Sequence, residues 1–472
     1  MIRRSRIFIA GAIGILGGFG MLVAPAWVLT PLSLGICFYC LWTARNTKEA
    51  VVCGTLYGTI TAGAGLLALW EIVPPALGDS LLPTLLSAAF LWSIPTLTLG
   101  LTTAPIAYLV FLTRENIFAP FIAVLAWCVN EVLRMWAWTL VSYGKGAVFE
   151  PHLTITGLAY SLADSEVTLQ FARLGGFFAL TILLGIMSVT IASFICWYTQ
   201  KKSGMQALLL LAVLICALTL PSTLPQEETR NRTELTVALF SSDTLHNTEV
   251  RPVPTTTPDI VLFPEDKILS QFPLETRTQY EKWRSENKEL LTVRSQLTAS
   301  EDGERHVSVI YETSDGAILG EQEKRFLMPQ GEYIPFLYSL IFKHIPRVSI
   351  PHIKDDATAT YGTSLVSVPV RGYQAGTLLC SEVFSPFLYR SLVEKHGATL
   401  LFNLGDPMWF RGSRLLFTKT LQVAKVHAVQ NNVYMLFAQN ASPSFAINPK
   451  GEVIAQTPWD TQGVLMVHIP QH

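Results

Sequence analysis

From position 7 to position 220 apolar residues run in long stretches with few charges between them; beyond 221 the apolar runs become short and separated. Seven stretches, at 7–23, 27–42, 50–70, 82–112, 117–140, 174–198 and 205–220, are candidates to cross a hydrocarbon core of about 30 Å, which takes roughly 20 helical residues. The fourth is long and holds Pro95 and Pro105, so a kink or a split is expected there, and a split would change the parity of crossings. The pattern breaks in PSTLPQEETRNRTE. This places a linker at 221–234 between a transmembrane domain at 1–220 and a second domain at 235–472.

In the second domain LTVALF (235–240), DIVLFPE (259–265), HVSVIYE (306–312), TSLVSVPV (363–370), GTLLCSE (376–382) and ATLLFNL (398–404) read as strands. QYEKWRSENKELLTV (279–293), SPFLYRSLVEKHG (385–397) and FTKTLQVAKVHAVQNN (417–432) read as helices. Strands mixed with helices predict an α/β sandwich of sheets with helices outside.

Composition sharpens the membrane reading. Half the residues are hydrophobic and 15% are charged, against about 25% in an ordinary soluble domain. A net charge of −1 gives no ground for a nucleic-acid partner. Charge also orients the chain, because short cytoplasmic loops collect Lys and Arg. With seven crossings and a cytoplasmic N-terminus, Arg3, Arg4 and Arg6, then Arg45 and Lys48, then Arg114, then Lys201 and Lys202 all fall inside. The outer turns before the large loop at 141–173 carry Glu71 and Asp79 and no base, and that loop holds only Lys145 and Arg173. Everything after Pro221 is therefore expected outside the cytoplasm. The first stretch, with RRSR before it and Ala24-Pro25-Ala26 after it, also fits a signal peptide; six further spans favour an uncleaved helix. Gly14 and Gly18 have the spacing of a close helix–helix contact.

Inside the fifth span Glu131 and Arg134 stand three residues apart, close enough to pair on one helix face. Two readings stay open: a structural ion pair, or a contact with a lipid headgroup. Six of the seven cysteines lie in apolar spans, leaving Cys380 alone in the second domain, a free thiol or a bond to another chain. A small buried hydrophobe is the common fate of such a residue. Yet Cys380 closes the apolar run GTLLC, Glu265 follows DIVLFP and Lys324 precedes FLMPQGEY. Together they would make a workable thiol catalyst, with Glu265 as general base, Cys380 as nucleophile, and Lys324 with the Ser381 backbone N–H stabilising an oxyanion; spacing alone does not reveal the trio, and the motifs around it do.

These motifs resemble the nitrilase superfamily of carbon-nitrogen hydrolases, and within it the apolipoprotein N-acyltransferases. The Pro-Glu after a strand is here Phe263-Pro264-Glu265, and the lysine before Leu-x-Pro-x-Gly-Glu-Tyr-x-Pro is Lys324, ahead of Leu327, Pro329, Gly331, Glu332, Tyr333 and Pro335. Cys-Tyr-Glu is here Cys380-Ser381-Glu382. Asn-x-x-Asn-Asp-x-Trp-Phe is similar to the stretch with Asn403, Asp406, Trp409 and Phe410. Glu131 and Arg134 sit where the family has Trp-x-x-Glu-x-x-Arg, with Trp127 one residue further upstream. The lysine-to-GEY motif is the most specific of these.

The resemblance implies an α-helical polytopic membrane domain joined to an extracytoplasmic nitrilase-like αββα sandwich, in a bacterial cytoplasmic (inner) membrane. It implies catalysis by Glu265, Lys324 and Cys380, with Glu332 beside the lysine as a further active-site glutamate, Glu382 orienting Lys324, and Ser381, Trp409 and Phe410 in support. The implied donor is a phospholipid and the implied acceptor a diacylated lipoprotein, handled by a monomer in the bilayer. The apolar stretches 334–342 and 384–392 would line an acyl pocket, dip into the interface or pack as core. The sequence departs from the family in SSDTLHNTEV (241–250) where a Lys-Trp segment is usual, in Ser381 for Tyr, in Asp406-Pro407 for Asn-Asp, and in KVHAVQNN (425–432) for an Arg-Ala-x-Glu helix. It ends at IPQH, where the family carries one more transmembrane helix.

Two rival classes remain: a membrane-anchored amidase or nitrilase, in which water resolves the thioester, and a homologue of impaired activity that acts as a binding protein. No metal-ligand spacing and no Gly-rich phosphate or dinucleotide motif is present, so no metal and no cofactor is expected.

Overall fold

The computed structural model describes residues 2–71, 81–200, 204–219, 234–242, 249–299, 303–329, 331–342 and 359–470. The linker up to position 233, and Asp79, Lys201 and Lys202 of the charge argument, lie outside the described residues.

The apolar stretches are helical: α1 (Ile2–Leu22), α2 (Leu29–Trp42), α3 (Thr47–Gly65), α4 (Leu81–Leu101), α5 (Thr103–Leu112), α6 (Ala119–Ser142), a one-turn α7 (Glu166–Leu169), α8 (Gly176–Gln200) and α9 (Gly204–Thr219). Four apolar helical segments, Ala24–Trp42, Ala88–Leu112, Ala119–Ser142 and Gly176–Gln200, are long and apolar enough to cross a membrane, and two shorter ones lie at Arg6–Leu22 and Met205–Thr219. The fourth stretch does not fold back on itself. Ala88–Leu112 is one apolar segment broken only at Thr102, with Pro95 inside α4 and Pro105 near the start of α5.

Glycine sets how tightly these helices pack. A Cβ on Gly18 would lie 2.6 Å from that of Ala64, and one on Gly14 would lie 3.0 Å from that of Ile60, so α1 and α3 approach closer than any larger residue allows.

The second domain is two sheets face to face. One has the order β2-β13-β1-β3-β4-β5-β6, from β1 (Leu235–Ser241), β2 (Glu249–Val250), β3 (Ile260–Leu262), β4 (Leu291–Ala299), β5 (Arg305–Thr313), β6 (Ile318–Glu323) and β13 (Thr461–Ile469). The other has the order β12-β11-β10-β9-β8-β7, from β7 (Ser367–Val370), β8 (Tyr373–Leu379), β9 (Leu400–Gly405), β10 (Tyr434–Gln439), β11 (Phe445–Ile447) and β12 (Val453–Gln456). Strand alternation builds both faces at once. Leu235, Val237 and Leu239 of β1 meet Leu400, Phe402 and Leu404 of β9 in the core between the sheets. Ala238 and Phe240 turn the other way, onto Tyr280 and Trp283 of α10 (Leu274–Glu286). Beyond the second sheet, α12 (Leu388–His396) and α13 (Arg414–Asn431) share one apolar cluster with residues of the membrane half, such as Leu158, Phe177 and Leu180. The result is an αββα sandwich.

The stretch 279–293 is not one helix. Asn287 adopts an extended conformation at the end of α10, and Leu291-Thr292-Val293 open β4 by pairing with both β3 and β5. The strand at 363–370 begins only at Ser367, and Cys380–Phe384 leaves the strand as a short 3-10 turn.

The two halves are joined through loops. Arg325 pairs with Glu150 (Nη2–Oε1 2.6 Å), the Tyr333 hydroxyl donates to the Ser142 carbonyl (2.7 Å), and Gln422 donates to Asp164 (2.7 Å). At the far end of α1, Arg6 donates to the Thr43 carbonyl and pairs with Glu49 (3.4 Å). The basic helix ends and the sandwich thus lie at opposite ends of the bundle.

Candidate active site

Strand ends deliver the reactive groups. β3 stops at Leu262, and Glu265 follows in a turn whose next residue, Asp266, has φ 57° and donates its N–H to Ser295 (2.9 Å). Lys324 comes directly after β6. Its backbone is held on both sides, the N–H donating to Val307 (2.7 Å) and the carbonyl accepting from Gly362 (2.8 Å). Its ammonium reaches Glu265 Oε1 at 2.9 Å and Glu332 Oε1 at 2.8 Å. Glu332 gets there because the LMPQGEY loop folds back, its other oxygen accepting the Met328 N–H.

Cys380 follows β8 in the left-handed region, at φ 40°, where a non-glycine residue costs roughly 1–2 kcal/mol. The surroundings hold it there. Buried Glu382 accepts the backbone N–H groups of Leu379 (2.8 Å), Arg325 (2.8 Å) and Phe326 (3.2 Å), tying the nucleophile turn to the lysine loop. Asn403 donates to the Cys380 carbonyl (3.4 Å), the His427 ring shares a hydrogen bond with the Val383 carbonyl (2.9 Å), and Thr154 of the membrane half bonds the Phe384 carbonyl (2.7 Å).

Electrostatically the three groups act on one another. Burial pushes the Cys380 thiol well above its usual range and Glu265 adds to this, while Lys324 and a hydrogen bond from the Asp406 backbone oppose it. Burial raises Glu265 to about 8, against the pull of Lys324. Burial works against the charge on Lys324, but Glu265, Glu332 and Cys380 together hold it well above the ordinary lysine value. The site therefore pairs a protonated thiol and a fixed cation with a carboxylate poised near neutrality, the range in which a general base works best.

Cys380 opens into a cavity of about 840 Å³, counting its open side. Cys380, Ser381, Phe384, Asn403 and Phe410 line it from the sandwich. Leu66, Leu69, Trp138, His152, Leu153 and Ile155 line it from the membrane half. A second cavity of about 430 Å³ shares Leu69, Trp138, Met328 and Pro329 with the first and extends to Leu91, Val141 and Tyr338. The Ser381 hydroxyl also reaches the Phe326 carbonyl at 3.4 Å.

Glu265, Lys324, Cys380, Glu332, Glu382, Ser381 and Phe410 thus gather at one place. Trp409 does not line the cavity and is 44% exposed. Glu131 and Arg134 lie apart from it, inside the helices. Each is 2% exposed; they pair at 3.4 Å, with Arg134 over the Trp127 ring and 3.4 Å from the Thr61 hydroxyl. That burial leaves a headgroup no surface to touch. Nothing local in the sequence singles out His152 or Thr154, and His427 sits in no recognisable motif; all three meet the site only through tertiary contact. Among the described residues, no group of His, Cys, Asp and Glu side chains could hold a metal.

The model of the carbon-nitrogen hydrolase family matches residues 267–472, the greater part of this sandwich. The chain is also similar, over most of its length, to proteins named apolipoprotein N-acyltransferase. The protein of that name from Aquifex aeolicus is 28% identical over 44% of this chain and 45% of its own length, so that match spans less than half of the relative. The one from Nitrosomonas europaea is 26% identical over 96% of this chain and 88% of its own length. A carbon-nitrogen hydrolase from Helicobacter pylori covers 50% of this chain and 89% of its own at 12% identity, with a TM-score of 0.35, which adds nothing to what the strand order shows.

Proposed function

We propose that this protein transfers a fatty acyl chain from a phospholipid, through a thioester on Cys380, to the N-terminal α-amino group of diacylglyceryl-cysteine lipoproteins. The proposed setting is the outer face of a bacterial cytoplasmic membrane, with seven helices crossing it. One observation carries the reading: the nucleophile faces an apolar cavity walled on one side by the membrane half. A soluble amide would find little to bind there, whereas an acyl chain gains about 0.8 kcal/mol for each CH₂ it buries. The proposed sidedness is supported by Arg6, Arg45 and Arg114 standing at the helix ends away from the sandwich.

The chemistry runs in two steps. Glu265 takes the thiol proton as Cys380 Sγ attacks the ester carbonyl, and Lys324 stabilises the oxyanion. Collapse breaks the C–O bond, Glu265 returns the proton to the departing lysophospholipid oxygen, and the acyl group remains on sulfur. A neutral α-amine then attacks the thioester. Glu265 accepts one of its protons, the C–S bond breaks, and the proton passes to the thiolate, leaving an amide and the original site. Exclusion of water by the apolar wall favours amine over hydrolysis.

The test is to give the purified protein in vesicles a palmitoyl phospholipid and a diacylated lipopeptide. Gain of one acyl mass on the lipopeptide supports the reading. Release of free fatty acid with no lipopeptide product favours the hydrolase.

A further inference from the structure

Apart from Cys380, His152 is the only titratable residue among those lining the catalytic cavity. It belongs to the loop after α6, contributed by the membrane half, and is buried. Its ring lies flat on Phe326, with centroids 4.0 Å apart and planes within 7°. Phe326 is two residues beyond Lys324, and its N–H is fixed by Glu382. The loop itself is pinned to the nucleophile turn by Thr154, whose hydroxyl and N–H both reach the Phe384 carbonyl. The imidazole is therefore held in place relative to both the lysine loop and the cysteine turn.

Its tautomer is set as well. Nδ1 lies 2.9 Å from the Glu150 carbonyl, which can only accept, so Nδ1 carries the proton and Nε2 carries a lone pair. Nε2 has no hydrogen-bond partner among the described residues. Burial lowers the ring to about 4, with the Glu150 carbonyl and carboxylate opposing, so the lone pair persists at neutral pH. Of the first transfer step, nothing needs such an acceptor: the donor ester carries no N–H. The second substrate does, because an attacking primary amine has a hydrogen to spare beyond the one it gives up.

We propose that His152 Nε2 accepts a hydrogen bond from the acceptor's α-amine and turns its lone pair toward the Cys380 thioester. This rests on the acyl-transfer reading and assigns the membrane-half loop a part in the second step alone. No proton changes owner at His152; Glu265 still takes the amine proton.

The experiment separates the steps. Full-length wild type and His152→Phe, which keeps the stack on Phe326 and removes the lone pair, are acylated with phospholipid and freed of donor. Decay of the Cys380 adduct is then followed by intact mass after adding either a diacylated lipopeptide or hydroxylamine, a small nucleophile that needs no orienting. His152→Phe should slow adduct formation and hydroxylamine discharge far less than it slows transfer to the lipopeptide. Its transfer to lipopeptide should be about tenfold slower, as expected for one lost hydrogen bond. Transfer at the wild-type rate overturns the inference, and so does equal slowing of acylation, hydroxylamine discharge and transfer, which marks a packing role. Absence of any adduct on the wild-type protein is a different result, and overturns the acyl-transfer reading along with the inference.

Discussion

Thr154 donates both its hydroxyl and its backbone N–H to the carbonyl of Phe384, at 2.7 and 3.1 Å. The two residues belong to different halves of the molecule, and Phe384 ends the turn that begins at Cys380. The geometry of the nucleophile is thus partly set by a loop between membrane helices. This ties the catalytic sandwich to its apolar partner more directly than a tether would.

Thr154→Val keeps the β-branch and the backbone bond but removes the hydroxyl. That hydroxyl also lies 2.7 Å from the buried Tyr160 hydroxyl, so two hydrogen bonds are lost and stability should fall by about 2 kcal/mol. Cys380 acylation should slow several-fold through a looser turn. Thermal unfolding and adduct formation by intact mass check the two effects on the same sample.

Lys324→Met removes the only cation that contacts Glu265 and Glu332 among the described residues. Loss of an oxyanion-stabilising charge typically costs about 10²–10³ in rate, and acylation should fall by that order. Glu332→Gln retains an acceptor for the ammonium and should cost less. Single-turnover acylation compares them, and equal losses would contradict a distinct role for the lysine.

Acylation should rise with pH across neutrality. Glu265 must be unprotonated to take the thiol proton, and burial raises it to about 8, so the base form accumulates as pH climbs from 6 to 9. A rate profile already flat above pH 5 would place Glu265 in the ordinary carboxylate range instead.

Acid should destabilise the fold through His427 and His152. Burial lowers each to about 4, against about 6.5 in the unfolded chain. Between those values the unfolded state binds more protons, so their contribution to stability falls as pH drops from about 6.5 to 4. His427→Gln can still donate to the Val383 carbonyl but cannot be protonated in this range. Its melting temperature should fall less on acidification than that of wild type.

The sequence pattern exposed what is local. GTLLC could be read as a strand ending on its cysteine because the apolar run stops there, and β8 does end at Leu379. Glu332 could be linked to Lys324 only by the motif between them, and the fold explains the spacing: the loop doubles back so that both carboxylates flank one amine. Long-range contacts left no such trace. LLTV is apolar enough to continue the preceding helix or to open a strand, and only the pairing of β4 with β3 and β5 decides. His152 and Thr154 lie more than 200 residues from Cys380, in a stretch whose local pattern says nothing of it. Glu131 and Arg134 left two readings open because spacing gives pairing but not the direction the pair faces; burial gives that.

The most direct measurement is the mass of the intact protein after incubation with a phospholipid of one defined acyl chain, with peptide mapping of the modified residue. One acyl adduct on Cys380, absent in Cys380→Ala and removed by a diacylated lipopeptide that gains the same mass, is the predicted result. A Cys380 that stays unmodified while the lipopeptide is still acylated, or an adduct on any other residue, would contradict it.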